Sequence, residues 1–263
     1  MSDPAKKIIS TRPEYHQSAI QMYLKCGKQY FYRYILGMVI PPRAALTVGG
    51  AVDTAVTHNL TQKISNGADV PLQEVLDTFE TDFNKRSLTT DWGGDDPGQM
   101  KDQGAKLVSA HHQEIAPKLD PVSVQTKFKI ELDGEYDLGG TIDLVEKNDV
   151  VADTKTAKLK YDEDAVKDSI QAGLYDFAFE ALNGRPAKAF RFDVLIKPTK
   201  TLPARTQQVE SKVTPTQRQF LFDTIENVHK SIKAGIAMPA PEGSWWCSKE
   251  WCGYWSMCKG KNR

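Results

Sequence analysis

The stretch GGTIDLVEKNDVVADTKTAK places Asp143 in one apolar run and Asp153 with Lys155 in the next, across the turn pair Asn148-Asp149. On facing hairpin strands such residues come within side-chain reach, and Asp153 and Lys155, two apart, share one face of their strand. Two carboxylates suit a hard divalent cation, which polarises a phosphate and lowers the pKa of a bound water. A lysine beside them can orient or deprotonate that water, or neutralise the charge that builds on phosphorus. The plain alternative is an exposed hairpin whose Asp and Lys pair as solvated ions, worth little energetically. A second acid-x-Lys triplet, Glu210-Ser211-Lys212, serves as a control. It ends a strand just before a helix cap, has no partner carboxylate on a hairpin strand, and reads as surface charge.

The cysteines form a second constellation. Cys247, Cys252 and Cys258, spaced C-x4-C-x5-C, lie in a Trp- and Gly-rich tail, and Cys26 stands far earlier in the chain. If the two chain ends meet, they make one four-thiolate site that staples the ends together. Zinc and a [4Fe–4S] cluster both accept four thiolates, although the C-x2-C knuckle common in zinc sites is missing. Buried free thiols are the third possibility. The tail also interleaves Lys249, Lys259, Lys261 and Arg263 with Trp245, Trp246, Trp251, Tyr254 and Trp255. Cations and aromatic rings together suit single-stranded nucleic acid, and packing around the cysteine site is the plainer role for most of these rings.

The elements that must position these groups follow from hydrophobic period. Residues 15–36 recur at helical spacing up to Gly37, which predicts one long helix carrying Cys26. After Pro41-Pro42, a second helix opens near Val48 and a third near Pro71; residues 89–99 read as a loop and residues 100–119 as a helix. From Val122 the period changes to alternation, and three strands in an antiparallel meander end in VVADTK. A helix over residues 162–184, strands over 188–197 and 204–210, and a helix over 214–235 capped by Thr214 complete the pattern. The tail from residue 236 has too much Gly, Pro and Trp for a regular element.

In this order the parts resemble the RecB-like exonuclease branch of the PD-(D/E)xK nuclease superfamily, which includes CRISPR-associated RecB-like nucleases and phage relatives. The resemblance covers nearly the whole chain. SAIQMYLKCGKQYFYRYI is similar to the family's first helix, GGAVDTAVTHNL to its Gly-then-His helix, and GTIDLVE to its Gly-x-x-Asp strand. VVADTKTAK is similar to the Asp-x-Lys strand and QAGLY to the Gln-x-x-x-Tyr helix. The resemblance implies His58, Asp143 and Asp153, with the backbone carbonyl of Thr154, as ligands of Mg2+ or Mn2+, and Lys155 as the residue that positions or activates water. A core histidine on an amphipathic helix remains the bland reading of His58. Gln171 and Tyr175, four apart, share a helix face from which they could bond DNA phosphate or brace Lys155. One cysteine in the first helix and three at the C-terminus is the family's iron–sulfur arrangement, which implies a structural [4Fe–4S] cluster on Cys26, Cys247, Cys252 and Cys258.

With 263 residues, 40% of them hydrophobic, the chain can bury a substantial core. Its formal net charge is zero, so DNA contacts must come from local clusters. The start MSDPAKKII lacks the pattern of a signal peptide and no apolar run reaches membrane-spanning length, so a cytoplasmic location without membrane partners is expected. The expected architecture is one α/β domain over residues 1–263, a central mixed sheet flanked by helices with an N- and C-terminal iron–sulfur clasp. Residues 1–121 form a mainly helical part, 122–235 the nuclease core, and 236–263 the tail that closes the cluster with Cys26. The expected reaction is hydrolysis of DNA, with exonuclease action favoured over endonuclease. No G-x-x-x-x-G-K-[ST] motor motif is present, so the protein would act on single strands or free ends, or borrow a helicase or recombination partner. The rival reading is a non-catalytic DNA-binding or adaptor protein of a recombination or CRISPR adaptation complex, and intact Asp143, Asp153 and Lys155 argue against it.

Overall fold

The computed structural model describes residues 12–132 and 135–259. Lys261, Arg263 and the N-terminal run through residue 11 lie outside them. In chain order the elements are β1 (Glu14–Tyr15), α1 (Gln17–Lys25), α2 (Gly27–Tyr30) continued by a π-helical turn (Phe31–Ile35), α3 (Ala44–Asn66), α4 (Leu72–Ser87) and α5 (Pro97–Ala110). There follow a second π-helical turn (His111–Ile115), a 3-10 turn (Ala116–Lys118), β2 (Pro121–Leu132), β3 (Tyr136–Glu146), β4 (Val150–Ala157), α6 (Ile170–Asn183), β5 (Ala189–Ile196), β6 (Arg205–Ser211), α7 (Pro215–Lys233) and α8 (Trp255–Cys258). Two compact units result: Pro41–Lys127 with Thr141–Gln217, and Phe128–Gly140 with the described parts of the two chain ends. Among the described residues no helix is long and apolar enough to cross a membrane.

The first unit is built on a mixed sheet. β3 and β4 are antiparallel with Leu144 opposite Ala152, β4 and β5 are parallel from Val150/Ala189 to Ala157/Ile196, and β5 and β6 are antiparallel. Every residue of β5 is buried, as a strand covered on both faces requires. On one face Val48, Val52, Phe79, Phe83 and Leu107 from α3, α4 and α5 pack on Leu144, Ala152 and Leu195. The other face takes α6, whose Tyr175 ring meets Phe190 at 6.2 Å between centroids. The expected mixed sheet flanked by helices is thus present. Parallel β4 and β5 need a long crossover, and α6 lies within it.

Several boundaries differ from those predicted. α5 begins at Pro97, inside the expected loop, because Asp96 Oδ1 accepts the Gln99 amide proton at 2.7 Å and Pro97 occupies the first helical position, where its missing N–H costs nothing. α6 begins at Ile170, not at residue 162: Asp162 Oδ1 takes the Asp164 N–H in a local turn, and Ser169 caps the helix at Ala172 N.

In the second unit β1 lies parallel to the start of β3, with Glu14 opposite Asp137 and Tyr15 opposite Leu138. The long helix predicted over residues 15–36 is broken: Cys26 is extended, at φ −167° and ψ 105°, between α1 and α2. The tail explains the interruption. A Cβ at Gly27 would lie 2.8 Å from Met238 N and 3.0 Å from Met238 O, so only glycine admits the tail backbone there. Tyr23 donates to Ile236 O at 2.7 Å, Tyr254 donates to Met38 O at 2.7 Å, and the Tyr32 and Tyr254 rings stack at 5.4 Å. The tail is largely turns, as expected, with one short helix.

Candidate active site

Continuing the β3–β4 ladder one step beyond Leu144 and Ala152 sets Asp143 directly opposite Asp153. The hairpin turn at Asn148-Asp149 brings this about, with Asp149 at φ 64° and the Val150 N–H held by Asn148 Oδ1. Asp153 is 2% exposed. Its Oδ1 accepts a hydrogen bond from Gln171 Nε2 at 2.5 Å, and Lys155 Nζ stands 2.6 Å from Oδ2. The predicted Asp143, Asp153, Lys155 and Gln171 therefore do converge. Thr154, between the two β4 site residues, pairs with Asp193 along the parallel ladder, on the sheet face away from Asp153.

Burial and the Asp153 carboxylate, which is hydrogen-bonded to it, push the Asp143 carboxyl well above the usual range. Burial disfavours the Lys155 ammonium, yet Asp153 and Asp143 outweigh it and hold Lys155 above its ordinary value. Lys155 is thus a proton-bearing cation here, with its ammonium 6.0 Å from the Phe192 ring centroid. Tyr175 is buried beside Asp143 and Asp153, and burial followed by those carboxylates raises its hydroxyl. It remains a donor at neutral pH. Tyr161, also raised by burial, faces Lys155 and was not foreseen from the sequence.

His58 makes a different contact. Its Nε2 is 2.8 Å from Glu74 Oε1, on the side of α3 that meets α4. Five residues along a helix turn a side chain by about 140°, so His58 and Asp53 flank the buried stripe of α3 on opposite edges. Asp53 lies within electrostatic reach of the carboxylates: burial and then Asp153 raise its pKa, while Arg86 and Lys155 lower it, and Gln125 Nε2 donates to its Oδ1 at 3.5 Å. Asp53 was not among the residues expected from the sequence. The stripe Val48, Val52, Ala55 and Asn59 defines both edges without saying which one meets β4.

The donor chemistry suits a divalent cation. Two hard carboxylates face each other with a third nearby, and buried Asp153 Oδ2 has a charge beside it but no aligned hydrogen-bond donor. Among the described residues, no three His, Cys, Asp or Glu side chains are drawn close enough to form a finished ion site.

All four cysteines line one cavity of the second unit, together with Lys28, Gln29, Tyr32, Tyr254, Trp255 and Lys259. Gln29 Nε2 donates to Cys252 Sγ at 3.2 Å, and Tyr32 hydrogen-bonds Cys258. Burial, then the Cys258 sulfur, raises the Tyr32 hydroxyl. Cys26 reaches the cavity because its extended backbone turns it out of the helix. No disulfide links the cysteines, and lysine, amide and hydroxyl groups stand around their sulfurs.

Opposed carboxylates and a lysine on one hairpin thus form the candidate site of this α/β fold. Residues 16–259 match the model of the PD-(D/E)XK nuclease superfamily, and the chain belongs to that family. The crystal structure of a "Putative exonuclease" from Eubacterium rectale is similar at a TM-score of 0.60 and 16% identity, covering 100% of this chain and 94% of that one. The structure of SSO0001 covers 98% of this chain and 92% of its own at 11% identity, and its TM-score of 0.44 is too low to bear on the fold. No curated protein sequence matches the chain.

Proposed function

We propose that this nuclease is a RecB-like DNA exonuclease that depends on Mg2+ or Mn2+ and carries a structural [4Fe–4S] cluster, the whole chain serving as one functional domain. The observation that carries the catalytic reading is the facing of Asp143 and buried Asp153 across the hairpin, with Lys155 Nζ 2.6 Å from Asp153 Oδ2. Asp143, Asp153 and the backbone carbonyl of Thr154 would hold the cation. With His58 turned to Glu74, we assign the further carboxylate to Asp53. Bound there, a divalent cation polarises the scissile phosphate and lowers the pKa of its water. Lys155 contributes positive charge and an N–H donor where charge builds as the water oxygen bonds to phosphorus and the phosphorus–sugar oxygen bond breaks. Gln171 fixes the rotamer of Asp153, and the protonated Tyr175 hydroxyl offers a donor beside the carboxylates.

The cluster would be held by Cys26, Cys247, Cys252 and Cys258, with Lys28, Lys259, Gln29 and Tyr32 offsetting its negative charge. Its role is to join the tail to the first helices, which makes folding of that unit depend on metal. The substrate is DNA with free ends or single strands, supplied by a helicase or recombination partner where duplex must be opened.

The test is digestion of end-labelled single- and double-stranded DNA by anaerobically purified protein in Mg2+, Mn2+ or EDTA, after its visible spectrum is recorded. Brown protein that shortens DNA from an end only with a divalent cation is the expected result. Brown protein that binds DNA and cuts it with neither metal would establish the adaptor role instead, and colourless protein containing zinc would replace the cluster.

A further inference from the structure

The tail tryptophans divide by exposure. Trp255 lines the cysteine cavity and Trp246 is half-buried, but Trp245 and Trp251 stand 61% and 62% exposed. Packing around the cysteines therefore accounts for Trp255 and leaves Trp245 and Trp251 unexplained. Trp245 and Trp251 meet edge to face at 5.1 Å and 86°, and Trp245 meets Trp246 at 5.6 Å and 85°. Perpendicular rings do not cover one another, so flat apolar surface remains in water, where it is unfavourable unless something binds it.

The charge beside these rings is positive. Lys25 Nζ lies 5.6 Å from the Trp245 ring centroid and 5.4 Å from that of Trp246. Residues 17–39 carry Lys25, Lys28 and Arg33 and no carboxylate at all. Within the tail, Lys249 and the anionic Glu250 are both exposed just before Trp251 and offset one another, so the positive charge at the rings comes from Lys25 and the first helices. Flat faces flanked by lysines complement a polyanion that presents unstacked rings. Single-stranded DNA has that chemistry, whereas duplex DNA hides its base faces within the helix.

We propose that Trp245 and Trp251, with Lys25, form a stacking platform for the unpaired bases of single-stranded DNA. The inference rests on the DNA nuclease reading and narrows its substrate to strands with unpaired bases. Phosphates pair with Lys25 and its neighbours while bases stack on the two indoles, an arrangement indifferent to sequence because every base has a flat face.

The test is titration in EDTA, where nothing is cut, of fluorescein-labelled oligo-dT and of a blunt duplex against the full-length wild type, the double variant Trp245→Ala/Trp251→Ala, and the double variant Trp245→Phe/Trp251→Phe. Stacking losses seen on alanine substitution correspond to about 10–100-fold weaker oligo-dT binding for the alanine variant, and the phenylalanine variant should recover most of that loss. Duplex binding should fall far less, and oligo-dT should quench the wild-type tryptophan fluorescence. An alanine variant that binds oligo-dT within about threefold of wild type, or that loses duplex and single strand equally, overturns the platform. If the alanine variant fails to fold, the quench titration decides, and unquenched wild-type protein overturns the proposal. A tryptophan-dependent dimer with unaltered DNA binding overturns it in favour of a second copy. The two readings fail separately: protein that cuts no DNA yet binds oligo-dT through its tryptophans refutes the nuclease, and an active nuclease indifferent to both tryptophans refutes the platform.

Discussion

Replacing Lys155 with methionine removes a charge and leaves much of the stem, so its effects separate into stability and catalysis. Lys155 Nζ stands 2.6 Å from Asp153 Oδ2, and Asp153 is 2% exposed. Without the ammonium, Asp153 faces the Asp143 carboxyl with no cation against it. Breaking a buried pair typically costs about 3–5 kcal/mol. Here a ceiling applies, because Asp153 can take up a proton instead, and protonating an ordinary carboxylate at pH 7 costs about 4 kcal/mol. The Lys155 side chain is 34% exposed, so solvent already screens the pair and we expect a loss of about 2 kcal/mol. The loss should shrink as pH falls: the variant's Asp153 has a raised folded pKa, so protonation restores stability toward pH 4 and removes it as pH rises. Catalysis does not recover in the same way. Loss of one charge-stabilising donor corresponds to about 10²–10³ in rate, and lowering the pH does not restore it. Urea melts across the pH range and cation-dependent digestion of end-labelled DNA test the two arms. Activity within about tenfold of wild type would refute the role given to Lys155, and a stability loss that grows toward acid pH would refute the electrostatic account of its pairing.

Asp53→Asn should reduce cleavage by more than tenfold, and His58→Gln, which removes an exposed partner of Glu74, by less than about threefold; the reverse order in a metal titration of activity would return the ligand role to His58. Burial holds His111 down at about 4, against partial opposition from Asp193, so native protein refuses a proton that the unfolded chain accepts. Stability should therefore fall from about pH 6.5 to about pH 4, by about 3 kcal/mol in all, and His111→Gln should remove that slope; parallel wild-type and variant curves in urea melts would show that His111 is not the cause. Gly27→Ala gains helix propensity but drives a methyl against the Met238 backbone, and should cost about 1–3 kcal/mol and open the tail to trypsin at Lys249 and Lys259; unchanged cleavage would mean that the tail yields without strain.

The sequence alone determined whatever depends on near neighbours. The two-residue period of the strands and the Asn148-Asp149 turn bring Asp143 opposite Asp153 and keep Lys155 on the same face, because hairpin register follows from the turn and the alternation. α4 and α7 could be placed for the same reason, since caps and the 3.6-residue period act within one or two turns. Tertiary structure decided the rest. A stripe of buried residues on α3 leaves two polar edges, and only tertiary packing set Asp53 within electrostatic reach of the carboxylates and His58 against Glu74 of α4. Residues 15–36 are helical by every local rule, yet the backbone of Met238, remote in sequence, seats itself at Gly27 and splits that helix beside Cys26. The parallel pairing of β4 with β5, the convergence of four cysteines on one cavity, and the exposure of Trp245 and Trp251 likewise depend on contacts between distant segments, and no local pattern encodes which of two distant surfaces will meet.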